Sequence, residues 1–191
     1  MESKNLNPVQ IILLVTQLMS EMRFDELGDL ARKDERVFNH LVQTLRDGRG
    51  PFCFFAATGL SKVGEPAVEP LIEALQDGQY PVRQVAALAL GEIGDLRVVE
   101  RLVEGLGDEY EAVRQAAAVS LGKIGSVEAI EPLLRAIRDD SEVVRRAVVN
   151  ALGMIGDERA LPGLVRVEEE DTEAVAERAR EVIRQIRERE E

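Results

Sequence analysis

Acid–base or thiolate chemistry in this 191-residue chain would have to rest on its single histidine, His40, or its single cysteine, Cys53. His40 is followed directly by Leu41 and has no second His or Cys beside it, so no metal-ligating or His–Cys pair is spelled out. A reactive thiol needs an accessible, electropositive setting. Cys53 stands instead among Phe52, Phe54 and Phe55 and is expected to be buried and inert, and His40 to be a surface or satisfied side chain. A lone cysteine also excludes an internal disulfide and a thiolate metal cluster within one chain. Carboxylates are abundant, 36 Asp and Glu in all, but no acid–base pair separates itself from the rest. The charges that recur at a fixed interval are Asp77, Asp108 and Asp139, each six residues before Arg83, Arg114 and Arg145. Side chains copied in every unit serve the unit, so these are expected to form a hydrogen-bond ladder along a stack. No catalytic residue, cofactor or metal is expected.

Those charges sit in a repeat. Leu90-Gly91-Glu92-Ile93-Gly94, Leu121-Gly122-Lys123-Ile124-Gly125 and Leu152-Gly153-Met154-Ile155-Gly156 follow one another at 31 residues, and a worn copy, Leu60-Ser61-Lys62-Val63-Gly64, precedes them by 30. A fixed period of 20 to 50 residues marks a solenoid, in which each unit buries its apolar face only against its neighbours. Within the unit from Pro66 to Asp95, Val68, Leu71, Ile72 and Leu75 recur at helical spacing over Ala67 to Gln76 (helix A). Asp77 to Pro81 reads as a turn, and Val82, Ala86, Ala87, Leu90 and Ile93 make a second stripe over Val82 to Ile93 (helix B). Gly94 suits the left-handed position after a helix, and Asp95 can cap the next helix. Gly91, Gly122 and Gly153, each costing about 1 kcal/mol against Ala inside a helix, are read as packing glycines.

The ends differ. Residues 1–33 match no repeat and are expected to form an N-terminal helical cap. It starts at Asn7-Pro8, with Ile11, Leu14, Val15, Leu18 and Met22 on one side. Residues 34–191 form the solenoid of about five helix pairs, the first degenerate (Leu41, Leu45). The last, with Val175, Ala179, Val182 and Ile186, is a polar C-terminal cap. The run Glu168 to Asp171 reads as a solvated turn. A net charge of −12 from 24 basic and 36 acidic residues argues against nucleic acid and anionic membranes as partners. The apolar stretch Val9 to Met19 is broken by Thr16 and Gln17 and too short to span a bilayer, and Met1 to Lys4 carries no basic n-region, so the cytoplasm is the expected location.

The Val-Arg opening of helix B (Val82-Arg83, Val113-Arg114, Val144-Arg145), the alanine pairs and the Leu-Gly-x-Ile-Gly ending resemble HEAT repeats of the short PBS-lyase HEAT-like class. The resemblance covers about residues 34 to 190. It implies an all-α, right-handed α–α superhelix of antiparallel pairs, with A helices outside and B helices lining a concave face. Most proteins of this class look like non-enzymatic scaffolds or adaptors for a partner protein. The alternative it implies is a bilin lyase or lyase subunit acting on a chromophore-binding protein. A HEAT-like relative that holds two irons through repeated His-Glu pairs is excluded here by the single histidine.

Recurring positions build the stack, so a partner must be read by positions that vary. On helix B these follow i, i+4, i+8: Phe54-Thr58-Lys62, Gln84-Leu88-Glu92, Gln115-Val119-Lys123, Arg146-Asn150-Met154 and Glu177-Glu181-Gln185, with Tyr80, Glu111 and Glu142 just before the helices. Phe54, Leu88, Val119 and Met154 would form an apolar centre with Gln84, Glu92, Gln115, Lys123, Arg146 and Asn150 as its polar rim, and Tyr80 an aromatic anchor; the alternative is that Leu88 and Val119 are tucked against neighbouring B helices. The chain is expected to be monomeric, the same stripe being open to a second copy.

Overall fold

The computed structural model describes residues 6–48 and 50–189. They form twelve α-helices joined by turns and short 3-10 segments, with no strand among the described residues. The chain divides into two compact units, Met1–Ile93 and Gly94–Glu191.

Unit 1 holds α1 (Pro8–Ser20), α2 (Phe24–Lys33), α3 (Glu35–Arg46), α4 (Gly50–Val63), α5 (Val68–Ala74) and α6 (Tyr80–Ile93). Asn7 starts α1 through a reciprocal capping box. Its Oδ1 accepts the Gln10 N–H at 3.0 Å, and the Gln10 Oε1 accepts the Asn7 N–H at 2.9 Å. Ile11, Val15, Leu18 and Met19 are buried. Met22 does not extend that stripe, as its spacing suggested. It is exposed with φ 55°, while the Arg23 N–H bonds the Leu18 carbonyl and the Met22 N–H that of Met19, a Schellman ending that turns the chain into α2. Glycine is the usual residue at that left-handed position, which is why the end went unread. The cap thus contains two helices, and residues 1–5 of it lie outside the described residues.

Helix A is not continuous from Ala67 to Gln76. A 3-10 turn over Glu65–Ala67 leads into the shorter α5. Helix B starts earlier than Val82, at Tyr80, because Pro81 in a first turn lacks an N–H that the helix does not use there. Glu111 and Glu142 are likewise first residues of their helices, not residues before them.

Unit 2 repeats this plan with α7 (Val99–Gly105) and α8 (Glu111–Ile124), α9 (Ile130–Ala136) and α10 (Glu142–Ile155), then α11 (Leu161–Glu170) and α12 (Glu173–Glu188). Leu102, Leu133 and Leu164 on the A helices and Leu121 and Leu152 on the B helices are fully buried, each contributing roughly 1.5–3 kcal/mol of apolar burial. Gly125 (φ 73°) and Gly156 (φ 74°) end α8 and α10 in the left-handed conformation. Ser126 and Asp157 then cap the adjoining turns, accepting the N–H groups of Glu128 at 3.3 Å and Arg159 at 2.9 Å. The helix-B glycines are close-approach points: a Cβ on Gly122 would lie 2.7 Å from the Ala151 Cα, and one on Gly153 2.9 Å from a Val182 methyl. On α12, Val175, Ala179, Val182 and Ile186 are buried, as the cap requires.

Candidate functional site

The turn side of unit 2 carries the ladder. The Arg114 side chain reaches back to the Asp108 carbonyl of its own turn at 3.0 Å and forward to both carboxylate oxygens of Asp139, at 2.6 and 2.9 Å. Arg145 does the same, bonding the Asp139 carbonyl at 2.8 Å and Asp171 at 2.7 and 2.8 Å. In unit 1 Arg83 bonds the Asp77 carbonyl at 2.9 Å. Burial pushes the Asp139 carboxyl up, but hydrogen bonds from Arg114 and the Ser141 N–H, with the charges of Arg114 and Arg145, leave it below the ordinary carboxylate range. Asp171 is lowered chiefly by its hydrogen bonds from Arg145. The Glu168 to Asp171 run is therefore not a solvated turn. Glu168 to Glu170 end α11, and Asp171 is a rung with its side chain 8% exposed.

The varying stripe stands on the B helices of each unit. In unit 1, Phe54 is 49% and Tyr80 40% exposed, whereas Gln84 and Leu88 are half-buried and Glu92 is exposed. Thr58 closes on its own helix, its hydroxyl donating to the Phe54 carbonyl at 2.9 Å, and exposed Lys62 pairs with Asp25 at 3.2 Å. In unit 2, Gln115 and Val119 are half-buried, and Lys123 and Arg146 are exposed. Met154 is 50% exposed, its sulfur 3.3 Å from where a Cβ on Gly122 would sit. Asn150 is occupied, its Oδ1 accepting from Arg178 at 2.5 Å; Arg178 also pairs with Glu181 at 2.6 Å. Of the large apolar groups expected at this face, Phe54, Tyr80 and Met154 are offered to solvent, while Leu88 and Val119 lie half within the packing.

Phe52, read from sequence only as a neighbour of Cys53, is 44% exposed and belongs to an aromatic cluster. Phe24, Phe52 and Phe54 all pack on Phe55, with centroids 6.0, 6.4 and 6.0 Å away. Cys53 is buried behind them and donates its S–H to the Gly50 carbonyl at 3.2 Å, and burial pushes its thiol up, away from the reactive form. His40 is half-buried on α3, its carbonyl accepting the Thr44 hydroxyl at 2.7 Å. Among the described residues no three His, Cys, Asp or Glu side chains gather to hold a metal ion. No helix among them is long and apolar enough to cross a membrane.

Stacked helix pairs, left-handed glycine ends and an Arg–Asp ladder define an α-solenoid. A family model of HEAT repeats matches residues 38–121 and 99–184, and the chain belongs to that family. No curated protein sequence matches it. Among solved structures it is similar to the complex of CpcE and CpcF of phycocyanin lyase from Nostoc sp. PCC7120, with TM-score 0.71 and 23% identity over 78% of this chain and 99% of that one. A designed armadillo repeat protein in complex with the peptide (KR)4 gives TM-score 0.59 at 19% identity, over 93% of this chain and 98% of that chain. Human deoxyhypusine hydroxylase gives TM-score 0.57 at 22% identity, over 95% and 75%. At such identities the likeness is one of fold.

Proposed function

We propose that the protein is a non-enzymatic scaffold that holds a partner protein on the solvent-exposed side chains of its B helices, the face read from sequence as the binding surface. The observation that carries this reading is the exposure of Phe54, Tyr80 and Met154, large apolar side chains on helices whose repeated positions already satisfy the stacking. Each unit taken by itself sets exposed charge on the same helix as the exposed apolar group, Glu92 with Tyr80 on α6 and Arg146 with Met154 on α10, and mixed apolar and polar surface of this kind is what interfaces use. Aromatic and Met side chains are enriched at protein interfaces, and Tyr is among the residues that carry binding energy when a partner desolvates them. The (KR)4 peptide held by the designed armadillo protein lends support, since it shows a stacked-helix scaffold of similar fold engaging a polypeptide. The test is capture from native lysate by the wild type and by a Phe54→Glu/Met154→Glu variant with an unchanged far-ultraviolet circular dichroism spectrum. A stoichiometric protein lost from the variant is expected; full retention by the folded variant removes these faces from the reading.

The CpcE–CpcF likeness favours a second reading, a subunit of a bilin lyase. Co-expression with a bilin and an acceptor phycobiliprotein separates the two. A coloured covalent adduct that depends on this chain would favour the lyase, and its absence the scaffold.

A further inference from the structure

Away from the B-helix faces, unit 2 contains a groove of about 860 Å³ between α9 and α11. Its floor is apolar, formed by Leu134, Ile137, Pro162 and Val167, with Leu134 packed onto Gly163 where any Cβ would collide. Arg135, Arg138 and Arg166 rim it. None of these three guanidinium groups has a hydrogen-bond or ion-pair partner among the described residues, whereas Arg145 at the same groove is held by Asp171, and Asp139 by Arg114.

The repeat register shows how unusual this rim is. Arg135 and Arg166 occupy the position filled by Glu73 and Glu104 in the two preceding pairs. Glu73 pairs with Arg46, and Glu104 with Arg101 at 3.1 Å. In the last two pairs the sign reverses and the partners vanish, so like charges stand at the same repeat position on α9 and α11, on either side of the groove. An anionic occupant relieves that repulsion.

We propose that this groove binds an acidic peptide segment of a partner protein, its carboxylates on Arg135, Arg138 and Arg166 and an apolar side chain on the Leu134–Val167 floor. Guanidinium forks suit carboxylates because two parallel N–H donors meet two oxygens. The exposed carboxylates of Asp140 and Glu170 at the turn end exclude further acid there, so that end of the peptide is neutral or basic. The same carboxylates and the net charge of −12 disfavour a nucleic acid running through the groove. The inference does not rest on the B-helix reading.

The test uses the full chain and fluorescein-labelled peptides of about twelve residues. One carries Glu and Leu in its leading part and a neutral trailing part, another replaces each Glu by Gln, and an oligothymidylate of equal length serves as polyanion control. Anisotropy is expected to show the Glu peptide bound at least about tenfold more tightly than the Gln peptide, with weakening as salt rises to about 0.3 M. Amide shifts in ¹⁵N spectra are expected to change along α9 and α11. Arg135→Glu/Arg166→Glu is expected to lose about tenfold or more in affinity while Met154→Glu keeps it. If the reversed-charge variant loses its helical spectrum, Arg135→Gln/Arg166→Gln replaces it. Undetectable binding of the Glu peptide, equal binding of the Gln peptide or the oligothymidylate, or shifts confined to other helices would each overturn the proposal.

Discussion

Unit 2 and the first four helices of unit 1 hold their helices together by different means. In unit 2 each pair is joined to the next through one Arg that bonds the preceding turn carbonyl and the Asp of the next turn, and through a glycine that admits the neighbouring B helix. In unit 1 the position that Arg83 fills one pair later is taken by Cys53, with Phe24, Phe52, Phe54 and Phe55 beside it. Close approach there uses Gly28, where a Cβ would lie 2.5 Å from the Lys62 Cβ, and Gly59, where it would lie 2.9 Å from a Leu27 methyl. Specific polar bonds keep a repeat in register; aromatic packing does not need a register and leaves apolar edges in solvent. The exposed Phe52 and Phe54 stand where the ladder Arg is missing.

The sharpest break is at the close approach. Gly122→Val puts its Cβ against the Ala151 backbone, which cannot rotate away, and is expected to cost about 3 kcal/mol. Gly64→Ala in unit 1 meets no atom within 4 Å but must adopt φ 83°, and is expected to cost about 1–2 kcal/mol. Urea unfolding of the two variants orders them. Next in size is the ladder. Asp171→Ala leaves the Arg145 guanidinium, its side chain 17% exposed, without its anion and is expected to cost about 2 kcal/mol. Glu104→Ala, which breaks an exposed pair with Arg101, is expected to cost less than about 0.5 kcal/mol. Equal losses for Asp171→Ala and Glu104→Ala would mean that the ladder carries no special weight.

The same contrast explains how much of the molecule was legible in its sequence. The period, the left-handed glycine ends, the buried Leu positions and the Asp–Arg spacing are local patterns copied several times, and the structure uses them in that form. Asp171 was hidden because it stands 32 residues after Asp139, not 31, and falls inside an acidic run. The end of α1 at Met22 and the occupation of Asn150 by Arg178 occur once each, so no repetition announced them. The exposure of half of the apolar stripe was also open from sequence. Leu88 and Val119 project at the right helical angle, but how deeply a neighbour covers them is set by packing, which spacing alone does not reveal.

Acid probes the ladder without mutation. Asp139 and Asp171 both titrate below their ordinary range in the folded protein, so between the unfolded and folded values the unfolded chain binds more protons. Their stabilisation is fully present above the unfolded carboxylate value of about 3.9 and is lost as pH falls through the lower folded values. Unfolding free energy is therefore expected to fall below about pH 4. Asp139→Asn/Asp171→Asn is expected to start lower and fall less steeply. An equally steep fall in that variant would assign the acid sensitivity to other carboxylates.

At Phe54 the effect on stability is again small, and the effect on binding is the one to measure. Its ring is half in solvent and meets Phe55 edge-on at 6.0 Å, so Phe54→Ala removes one aromatic contact without opening a core cavity. The expected cost is within about 0.5–1 kcal/mol, close to that of an ordinary surface substitution. Cys53, its chain neighbour, is 3% exposed, and Cys53→Ser would place a hydroxyl where a weakly polar thiol now packs. That change is expected to cost about 1–2 kcal/mol. If the varying B-helix positions exist to read a partner, the two substitutions reverse their order when binding is measured: Phe54→Ala weakens capture of the partner and Cys53→Ser does not. Parallel losses in stability and binding for both would instead make the aromatic cluster a piece of packing, and the exposure of Phe54 a by-product of a repeat that lost its rung.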